Sequence, residues 1–299
     1  MDDIAPYVPE SGPHKTYRGN CHCAASVYEV SMPEVKEVEV CNCSICARKG
    51  YMMVWPSRED FKVIKGSVDA LAGYTFGSGI VEHKFCKICG IAVIGLGHGV
   101  PKGYEFGINA RTFQDFEGWQ MKQRAVNGKK LGKAYDPPVH KGPLPQVEIE
   151  GGVLTTGSCH CGRVTVAVHS KPLDETYDSQ IAECNCSICE RGAYIWMYPK
   201  TEQVVLHAEN PEDISSYNFG RGIIDKTFCR HCGVHMTNRY RPPTEEWLAN
   251  ASDFDKQWVP AAKANHNVNV RVLHGVDLSK LNITRSTMAK SLPPFYGNP

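Results

Sequence analysis

The hexapeptide Cys41-Asn42-Cys43-Ser44-Ile45-Cys46 recurs unchanged as Cys184-Asn185-Cys186-Ser187-Ile188-Cys189, 143 residues further along the chain. The same offset carries Tyr51 onto Tyr194. Repetition of this much ordered detail indicates an internal duplication, which has to be recognised before a fold can be assigned. The chain is therefore expected to consist of two copies of one unit.

The duplication extends to both sides of the hexapeptide and accounts for all 14 cysteines, seven in each copy. The matching segments are Gly19-Asn20-Cys21-His22-Cys23 with Gly157-Ser158-Cys159-His160-Cys161, Cys86-Lys87-Ile88-Cys89-Gly90 with Cys229-Arg230-His231-Cys232-Gly233, and Asn109-Ala110-Arg111 with Asn269-Val270-Arg271. The offset is 143 residues at the hexapeptide and 160 at the last match. The second copy therefore contains an insertion of about 17 residues, near 239–265.

We divide the chain of 299 residues into a first copy (14–126), a linker (127–152) and a second copy (153–299). The linker is rich in Lys, Gly and Pro, which favours an extended, exposed connection. A basic cluster stands at its start and comprises Lys122, Arg124, Lys129, Lys130 and Lys133. Because no aromatic platform accompanies these charges, a solvated linker is preferred over a nucleic-acid site.

Charge and hydropathy argue against several classes of function. Lys and Arg number 33 and Asp and Glu number 32, so binding to nucleic acid or to an anionic membrane is not expected. No apolar run approaches the roughly 18 residues of a membrane helix. The acidic start Met1-Asp2-Asp3 has no apolar signal-peptide core after it. These features predict a soluble, cytoplasmic protein.

The hydrophobic pattern of each copy mostly has a period of two, which is typical of half-buried strands. The clearest examples are residues 26–30, 35–40, 61–64, 164–168 and 204–206. No long amphipathic helix with clear caps is visible. The sequence therefore predicts a mainly β protein whose small domains are held together in part by metal sites.

Each copy pairs a CxC motif with a CxxC motif, and in a reducing compartment such spacings are typical of metal ligands rather than of disulfides. The first tetrad is Cys21, Cys23, Cys86 and Cys89, and the second tetrad is Cys159, Cys161, Cys229 and Cys232. Four thiolates form a closed tetrahedron suited to structural zinc, with iron as the alternative metal. The glycine after each CxxC, Gly90 or Gly233, permits a left-handed turn there.

The remaining three cysteines of each copy leave one corner of a tetrahedron open, as catalytic zinc sites do. The first triplet is Cys41, Cys43 and Cys46, and the second triplet is Cys184, Cys186 and Cys189. Three thiolates on a zinc dication give a net charge of −1, which suits an incoming thiol better than activation of water. Alternatively a histidine or a carboxylate closes the site; the candidate histidines are His22, His83, His98, His160, His231 and His235. His22 and His160 are weak candidates because they lie between paired cysteines and should face away from the metal.

The four motifs Gly-x-Cys-His-Cys, Cys-x-Cys-Ser-x-Cys, Phe-Cys-x-x-Cys-Gly and Asn-x-Arg together resemble the glutathione-dependent formaldehyde-activating enzyme / centromere protein V family. The resemblance covers nearly the whole chain as two copies. It implies two zinc-binding β-tent domains, each with one structural zinc on a tetrad and one reactive zinc on a triplet, four ions per chain. It also implies a carbon–sulfur lyase that resembles S-hydroxymethylglutathione synthase and acts on a glutathione or other thiol adduct.

Three further features of the chain concern the turns and contacts around the cysteines. Members usually have Gly after the first CxC; Gly162 fits, but Ala24 does not, so the first copy is expected to bend differently there. Arg48 and Arg191 follow the triplets and could hold a substrate carboxylate. Alternatively they are surface arginines or balance the charge of the zinc thiolates. The Asn-x-Arg motifs are expected to make structural hydrogen bonds.

The insertion contains three large aromatic residues, Trp247, Phe254 and Trp258, which should pack on something. It either shapes an active site or packs at an interface between the copies. We expect the two copies to associate as an intramolecular pseudo-dimer and leave further oligomerisation open. The competing hypothesis for the whole chain is a non-catalytic binding or scaffold module in which every zinc is structural.

Overall fold

A computed structural model describes residue 7 and residues 11–299 of the chain. The first copy contains ten strands and one short helix. These elements are β1 (His14–Asn20), β2 (Val27–Pro33), β3 (Glu37–Cys41), α1 (Ser44–Lys49), β4 (Met53–Val54), β5 (Phe61–Lys65), β6 (Ala72–Tyr74), β7 (Val81–Phe85), β8 (Ala92–Gly97), β9 (Phe106–Asn109) and β10 (Lys122–Val126).

The second copy repeats this series and adds three helices. Its elements are β11 (Val153–Ser158), β12 (Thr165–Ser170), β13 (Ile181–Cys184), α2 (Ser187–Gly192), β14 (Ile195–Met197), β15 (Val204–His207), β16 (Ile214–Asn218), β17 (Ile224–Cys229), β18 (His235–Tyr240), α3 (Glu245–Asn250), α4 (Asp253–Lys256), α5 (Trp258–Ala264), β19 (Asn267–Asn269) and β20 (Ile283–Ser286). No helix in the described part of the chain is long and apolar enough to cross a membrane.

Each copy folds into one three-stranded and one seven-stranded sheet, and the strand orders correspond one to one. In the first copy the orders are β1-β2-β5 and β10-β3-β4-β9-β8-β7-β6. In the second they are β11-β12-β15 and, from the opposite edge, β20-β13-β14-β19-β18-β17-β16. The predicted mainly β fold and the predicted duplication are both confirmed. The strands expected from alternation correspond to β2, β3, β5, β12 and β15; their first residues are shifted by at most two positions and their last residues by one to three.

The last strand of each copy returns to the sheet parallel to the strand that ends in the first cysteine of the triplet. Thus β10 pairs with β3, and β20 pairs with β13. The basic cluster is consequently not confined to the linker. Lys122 and Arg124 lie within β10 and form ion pairs with Glu37 at 2.6 Å and with Glu39 at 2.9 Å, respectively. The sequence did not reveal this strand because its side chains are polar and mostly exposed.

The two copies share their hydrophobic cores through the isoleucine of the repeated hexapeptide. Ile45 of the first copy packs in the core around the second tetrad, and Ile188 of the second copy packs in the core around the first tetrad. Both side chains have no exposed surface. Burial of one such side chain stabilises a protein by about 2 kcal/mol. The exchange therefore joins the copies as a pseudo-dimer with mixed cores.

Candidate metal centres

Each tetrad is assembled from two tight turns. In the first copy the Ala24 N–H donates to the carbonyl of Cys21 at 2.9 Å, and the Ser26 N–H points at the Cys21 sulfur at 3.3 Å. The second turn closes where the Gly90 N–H donates to the carbonyl of Cys86, with Gly90 at φ 72°. The same turn in the second copy places Gly233 at φ 66°. The left-handed glycines expected after each CxxC are thus present.

The expected difference in the first CxC turn is not observed. Ala24 adopts φ 58°, in the same left-handed region as Gly162 at φ 82°. Both residues donate their N–H to the carbonyl three residues earlier, Cys21 or Cys159. The prediction that the first copy bends differently is therefore wrong. An alanine can adopt this conformation at modest cost when the surrounding turn fixes it.

The sulfur atoms of the tetrads are spaced as zinc ligands would be. Cys21 and Cys23 are 3.7 Å apart and Cys23 and Cys86 are 3.5 Å apart, with 3.6 Å and 3.5 Å for the corresponding pairs of the second copy. Disulfide sulfurs lie at about 2.05 Å, far closer. A tetrahedron with bonds of about 2.3 Å has edges of about 3.8 Å. The four sulfurs of each tetrad, all within 4.8 Å of one another, thus fit one zinc-sized cation.

The triplets form where a strand runs into a short helix. Cys41 ends β3, Cys43 is the N-cap of α1, and Cys46 lies in its first turn. The N–H of Cys43 points at the Cys41 sulfur at 3.4 Å, and Cys186 makes the same contact with Cys184 at 3.3 Å. Such N–H donors stabilise the thiolate form that binds metal. In each triplet the three sulfurs lie within 4.8 Å of one another.

The thiols of each triplet share their protons unequally. Hydrogen bonding from Cys43 and Cys46 lowers the pKa of Cys41 to about 3, whereas hydrogen bonding to Cys41 raises the pKa of Cys43 to about 11. In the second copy the neighbouring thiols lower the pKa of Cys186. A cation would relieve this competition because all three groups could then ionise. The donor set therefore fits a thiophilic metal.

No histidine or carboxylate joins either triplet among the residues that the structure describes. Instead, His22 and His160 form hydrogen bonds with the other copy. His83 stacks on the ring of Tyr51. His231 is hydrogen-bonded to Asp213 at 2.6 Å, and His235 is hydrogen-bonded to Tyr194 at 3.0 Å. His98 lies in an exposed bend after β8. The candidate closing ligands are therefore engaged elsewhere or lie apart, and each triplet presents three protein ligands.

Two comparisons relate the chain to known proteins. The family model described as glutathione-dependent formaldehyde-activating enzyme matches residues 16–125 and 154–269, which together are more than half of the chain. The chain belongs to this family. Among solved structures it is similar to a Rhodobacter sphaeroides protein, with 23% identity and a TM-score of 0.32, over 44% of this chain and 99% of that one.

In this member of the formaldehyde-activating family, the histidine of each CxC motif bonds into the hexapeptide of the other copy. His22 Nε2 lies 2.9 Å from the Ser187 hydroxyl and His22 Nδ1 lies 3.0 Å from the Tyr217 hydroxyl. In the reciprocal arrangement, His160 lies 2.8 Å from the Ser44 hydroxyl and 2.7 Å from the Tyr74 hydroxyl. Each tetrad turn is thereby tied to the triplet of the opposite copy. The repeated histidine was visible in the sequence, but its partner was not.

The segment that follows the last strand of each copy also crosses to the other copy. Tyr135 of the linker stacks on His160, with ring centroids 4.5 Å apart, and its hydroxyl donates to the His160 carbonyl at 2.7 Å. Tyr296 near the C-terminus makes the same two contacts with His22, at 4.5 Å and 2.7 Å. The linker is thus one of two equivalent arms, each covering the CxC histidine of the opposite copy.

The arginines after the triplets contact the partner copy rather than an open pocket. Arg48 Nε donates to the Ser158 carbonyl at 3.3 Å, and Arg191 Nε donates to the Asn20 carbonyl at 3.2 Å. The Arg48 guanidinium also lies over the ring of Tyr135, 4.7 Å from its centre. The Arg191 guanidinium lies in the same way over the ring of Tyr296, at 5.0 Å. These contacts favour a structural role for both arginines. Their contact with a substrate stays a prediction.

The Asn-x-Arg motifs make the structural hydrogen bonds that the sequence suggested. Asn109 donates to the Ala92 carbonyl at 3.0 Å, and Arg111 donates to the Gly50 carbonyl at 2.8 Å. Arg271 donates to the Ala193 carbonyl at 2.6 Å. Arg111 therefore holds Gly50, the residue that follows α1, and Arg271 holds Ala193, the residue that follows α2. A crevice of about 10 Å³, large enough for roughly one water molecule, is lined by Arg111 and by Cys184 and Cys189 of the second triplet.

Proposed function

We propose that this protein is a zinc-dependent carbon–sulfur lyase that makes or breaks the C–S bond of a thiol adduct, of the hemithioacetal or glutathione-conjugate type. One observation carries the proposal. In each copy three cysteine sulfurs lie within 4.8 Å of one another, and no fourth ligand joins them among the described residues. Each copy also has a separate group of four cysteine sulfurs. Membership of the formaldehyde-activating family supports the same chemistry.

The proposed zinc would be held by the two tetrads and the two triplets, four ions per chain. At a triplet the ion would supply a position where a substrate thiol binds as thiolate. The role of the chain is to hold the three sulfurs in place: the end of β3 or β13 fixes the first, and the start of α1 or α2 fixes the other two. The tetrads would stabilise the fold, since binding of structural zinc contributes directly to folding free energy.

With formaldehyde as the carbonyl compound, the reaction joins two molecules without any other reactant. The thiolate sulfur attacks the carbonyl carbon and the C–S bond forms while the C=O π bond breaks. The oxygen takes up the proton that the thiol gave up, which yields an S-hydroxymethyl adduct. In the lyase direction the same bond breaks and the proton returns to sulfur. The partner is then a small-molecule thiol.

Metal analysis and an exchange measurement test this proposal together. We expect about four zinc ions per purified chain, and faster exchange between free formaldehyde and its glutathione adduct, measured by NMR, than in buffer alone. Two zinc ions per chain, with triplet cysteines that react freely with a thiol reagent and no acceleration of exchange, would support the scaffold alternative. The Cys43→Ser variant serves as the control for each quantity.

A further inference from the structure

Two buried polar groups of the first copy lack a hydrogen-bond partner in the described structure: the Lys49 ammonium and the Tyr51 hydroxyl. Lys49 is only 7% exposed and Tyr51 only 2%. A buried polar group without a partner costs about 1–3 kcal/mol. Groups of this kind cluster at functional sites, where a ligand supplies the missing partner.

Both groups lie next to the first triplet. Lys49 follows Cys46 by three residues on α1, so the two side chains share one face of the helix. Gly50, at φ 57°, ends the helix and turns the chain so that Tyr51 packs in the same cluster as Cys46 and Phe85. The Lys49 nitrogen lies 4.7 Å from the centre of the Phe85 ring. A cation and a hydroxyl therefore stand beside an aromatic ring, near the sulfurs of both the first triplet and the second tetrad.

The electrostatic character of this site suits an oxygen that gains negative charge. Burial lowers the pKa of Lys49 to about 8, although the nearby Cys232, Cys229 and Cys46 thiolates oppose that shift. Burial also raises the pKa of Tyr51 well above its usual range, so its hydroxyl remains a donor. Donors fixed in apolar surroundings stabilise developing charge far better than water does.

The second copy lacks this pair of free donors. Gly192 replaces Lys49, and the hydroxyl of Tyr194, the counterpart of Tyr51, is bonded to His235 Nδ1 at 3.0 Å. The other ring nitrogen, His235 Nε2, has no hydrogen-bond partner in the described part of the chain. The backbone of Gly90 fills the space beside it, since a Cβ added to Gly90 would lie 2.5 Å from this nitrogen. Lys226 enters from β17 instead, and its nitrogen lies 5.1 Å from the Trp196 ring.

The sulfurs of the two triplets differ as well. The Trp196 indole N–H points at the Cys189 sulfur at 3.4 Å, and Cys189 is only 5% exposed. In the first copy Met53 occupies the position of Trp196 and offers no donor, and all three cysteines of the first triplet are partly exposed. A hydrogen bond to the sulfur withdraws electron density from it. Cys189 is thus more buried than its counterpart Cys46, and its sulfur is less electron-rich.

We propose that the first triplet is the working centre of this protein, and that Lys49 and Tyr51 bind the oxygen of the carbonyl compound or its hydroxymethyl adduct. This inference rests on the proposed function. As the C–S bond forms, the carbonyl oxygen gains charge beside the Lys49 ammonium and the Tyr51 hydroxyl and then becomes the hydroxyl of the adduct. The second triplet keeps its metal but contributes to structure.

Equivalent variants of the two copies test the assignment. We expect Tyr51→Phe and Lys49→Met to lower kcat/KM for glutathione and formaldehyde by roughly 10²-fold, with zinc content and Tm kept close to those of the parent protein. The matched control is Tyr194→Phe, which removes a satisfied hydroxyl at the corresponding position. It should lower Tm and leave turnover within about twofold. Tyr51→Phe keeps the ring, so it remains informative if Lys49→Met fails to fold.

Comparison of Cys43→Ser with Cys186→Ser separates this inference from the proposed function. Loss of turnover in Cys43→Ser alone supports the inference. Equal loss in both variants, or loss in Cys186→Ser alone, overturns it and leaves the proposed function intact. Unchanged turnover in both variants overturns the proposed function itself. If Lys49→Met instead releases zinc from the second tetrad while Tyr51→Phe keeps full turnover, the two groups balance charge and stabilise packing, and the inference fails.

Discussion

The first and second copies agree in their sheets and differ around their triplets. Strand order and the turns of the tetrads are the same in both halves. The same holds for the crossing histidines, His22 and His160, each of which is hydrogen-bonded to the other copy. Beside Cys46, however, stand Lys49 and Tyr51, which have no hydrogen-bond partner among the described residues, whereas Cys189 faces the Trp196 indole N–H. Groups on which folding depends are thus retained in both halves, while the side chains that would meet a substrate differ. The comparison distinguishes the shared scaffold from the proposed reactive centre.

Loss of a tetrad should have the largest effect, and it should be equal in the two copies. Structural zinc contributes on the order of 10 kcal/mol, comparable with the whole stability of a domain. We therefore expect Cys86→Ser and Cys229→Ser each to unfold the chain at moderate temperature, as measured by circular dichroism and metal content. Cys43→Ser should stay folded. If the triplet variant unfolds as readily as the tetrad variants, the division into structural and reactive sites is wrong.

The exchanged isoleucines give the next largest effect. Ile45→Ala and Ile188→Ala each leave a cavity in the core of the opposite copy, which should cost about 3 kcal/mol. Hydrogen exchange followed by mass spectrometry would locate the loss of protection. We expect Ile45→Ala to expose amides of β12 and β18, and Ile188→Ala those of β2 and β8. Loss confined to the copy that carries the substitution would contradict the mixed cores.

Much of this organisation follows from the sequence, and the part that does not depends on contacts across the copies. The period-two alternation predicted the mainly β fold. The repeated cysteine spacings predicted the grouping of the sulfurs, because ligands to one ion must be placed by short local turns. The packing of Ile45 and Ile188 in the cores of the opposite copies has no local signature, since an isoleucine buried in its own copy would look the same in the sequence. Ala24 was misjudged because propensity ignores the hydrogen bonds that fix its turn. The parallel strand β10 was missed because its polar side chains show no apolar alternation.

The crossing histidines should have a smaller effect, again equal in both copies. His22→Ala removes two hydrogen bonds and leaves the Ser187 and Tyr217 hydroxyls without this partner, and His160→Ala does the same to Ser44 and Tyr74. We expect each to lower the free energy of unfolding by about 2 kcal/mol in urea titrations. Under the assignment of the first triplet, only His160→Ala, which frees Ser44, should also slow turnover. A slower rate in His22→Ala alone would reverse that assignment.

Substitutions that disturb the insertion, which only the second copy has, should have the smallest effect on stability. It forms α3, α4 and α5, and its Phe254 and Trp258 flank the Arg221 guanidinium at 5.3 Å and 5.2 Å while Asp255 pairs with it at 2.8 Å. Arg221 lies in the turn between β16 and β17, where the first copy has Ser78. The two rings remain 36% and 39% exposed, so this packing favours local support over a lid on a triplet.

Arg221→Ser restores the residue of the first copy and tests this interpretation of the insertion. Cation–π contacts and partly exposed ion pairs each contribute about 1 kcal/mol or less, so we expect a fall of a few degrees in Tm. Turnover with glutathione and formaldehyde should not change. Replacement of residues 245–264 by a short Gly-Ser turn extends the test, because it removes all three helices at once. A raised KM in that variant, with Tm preserved, would mean that the insertion shapes the substrate site after all.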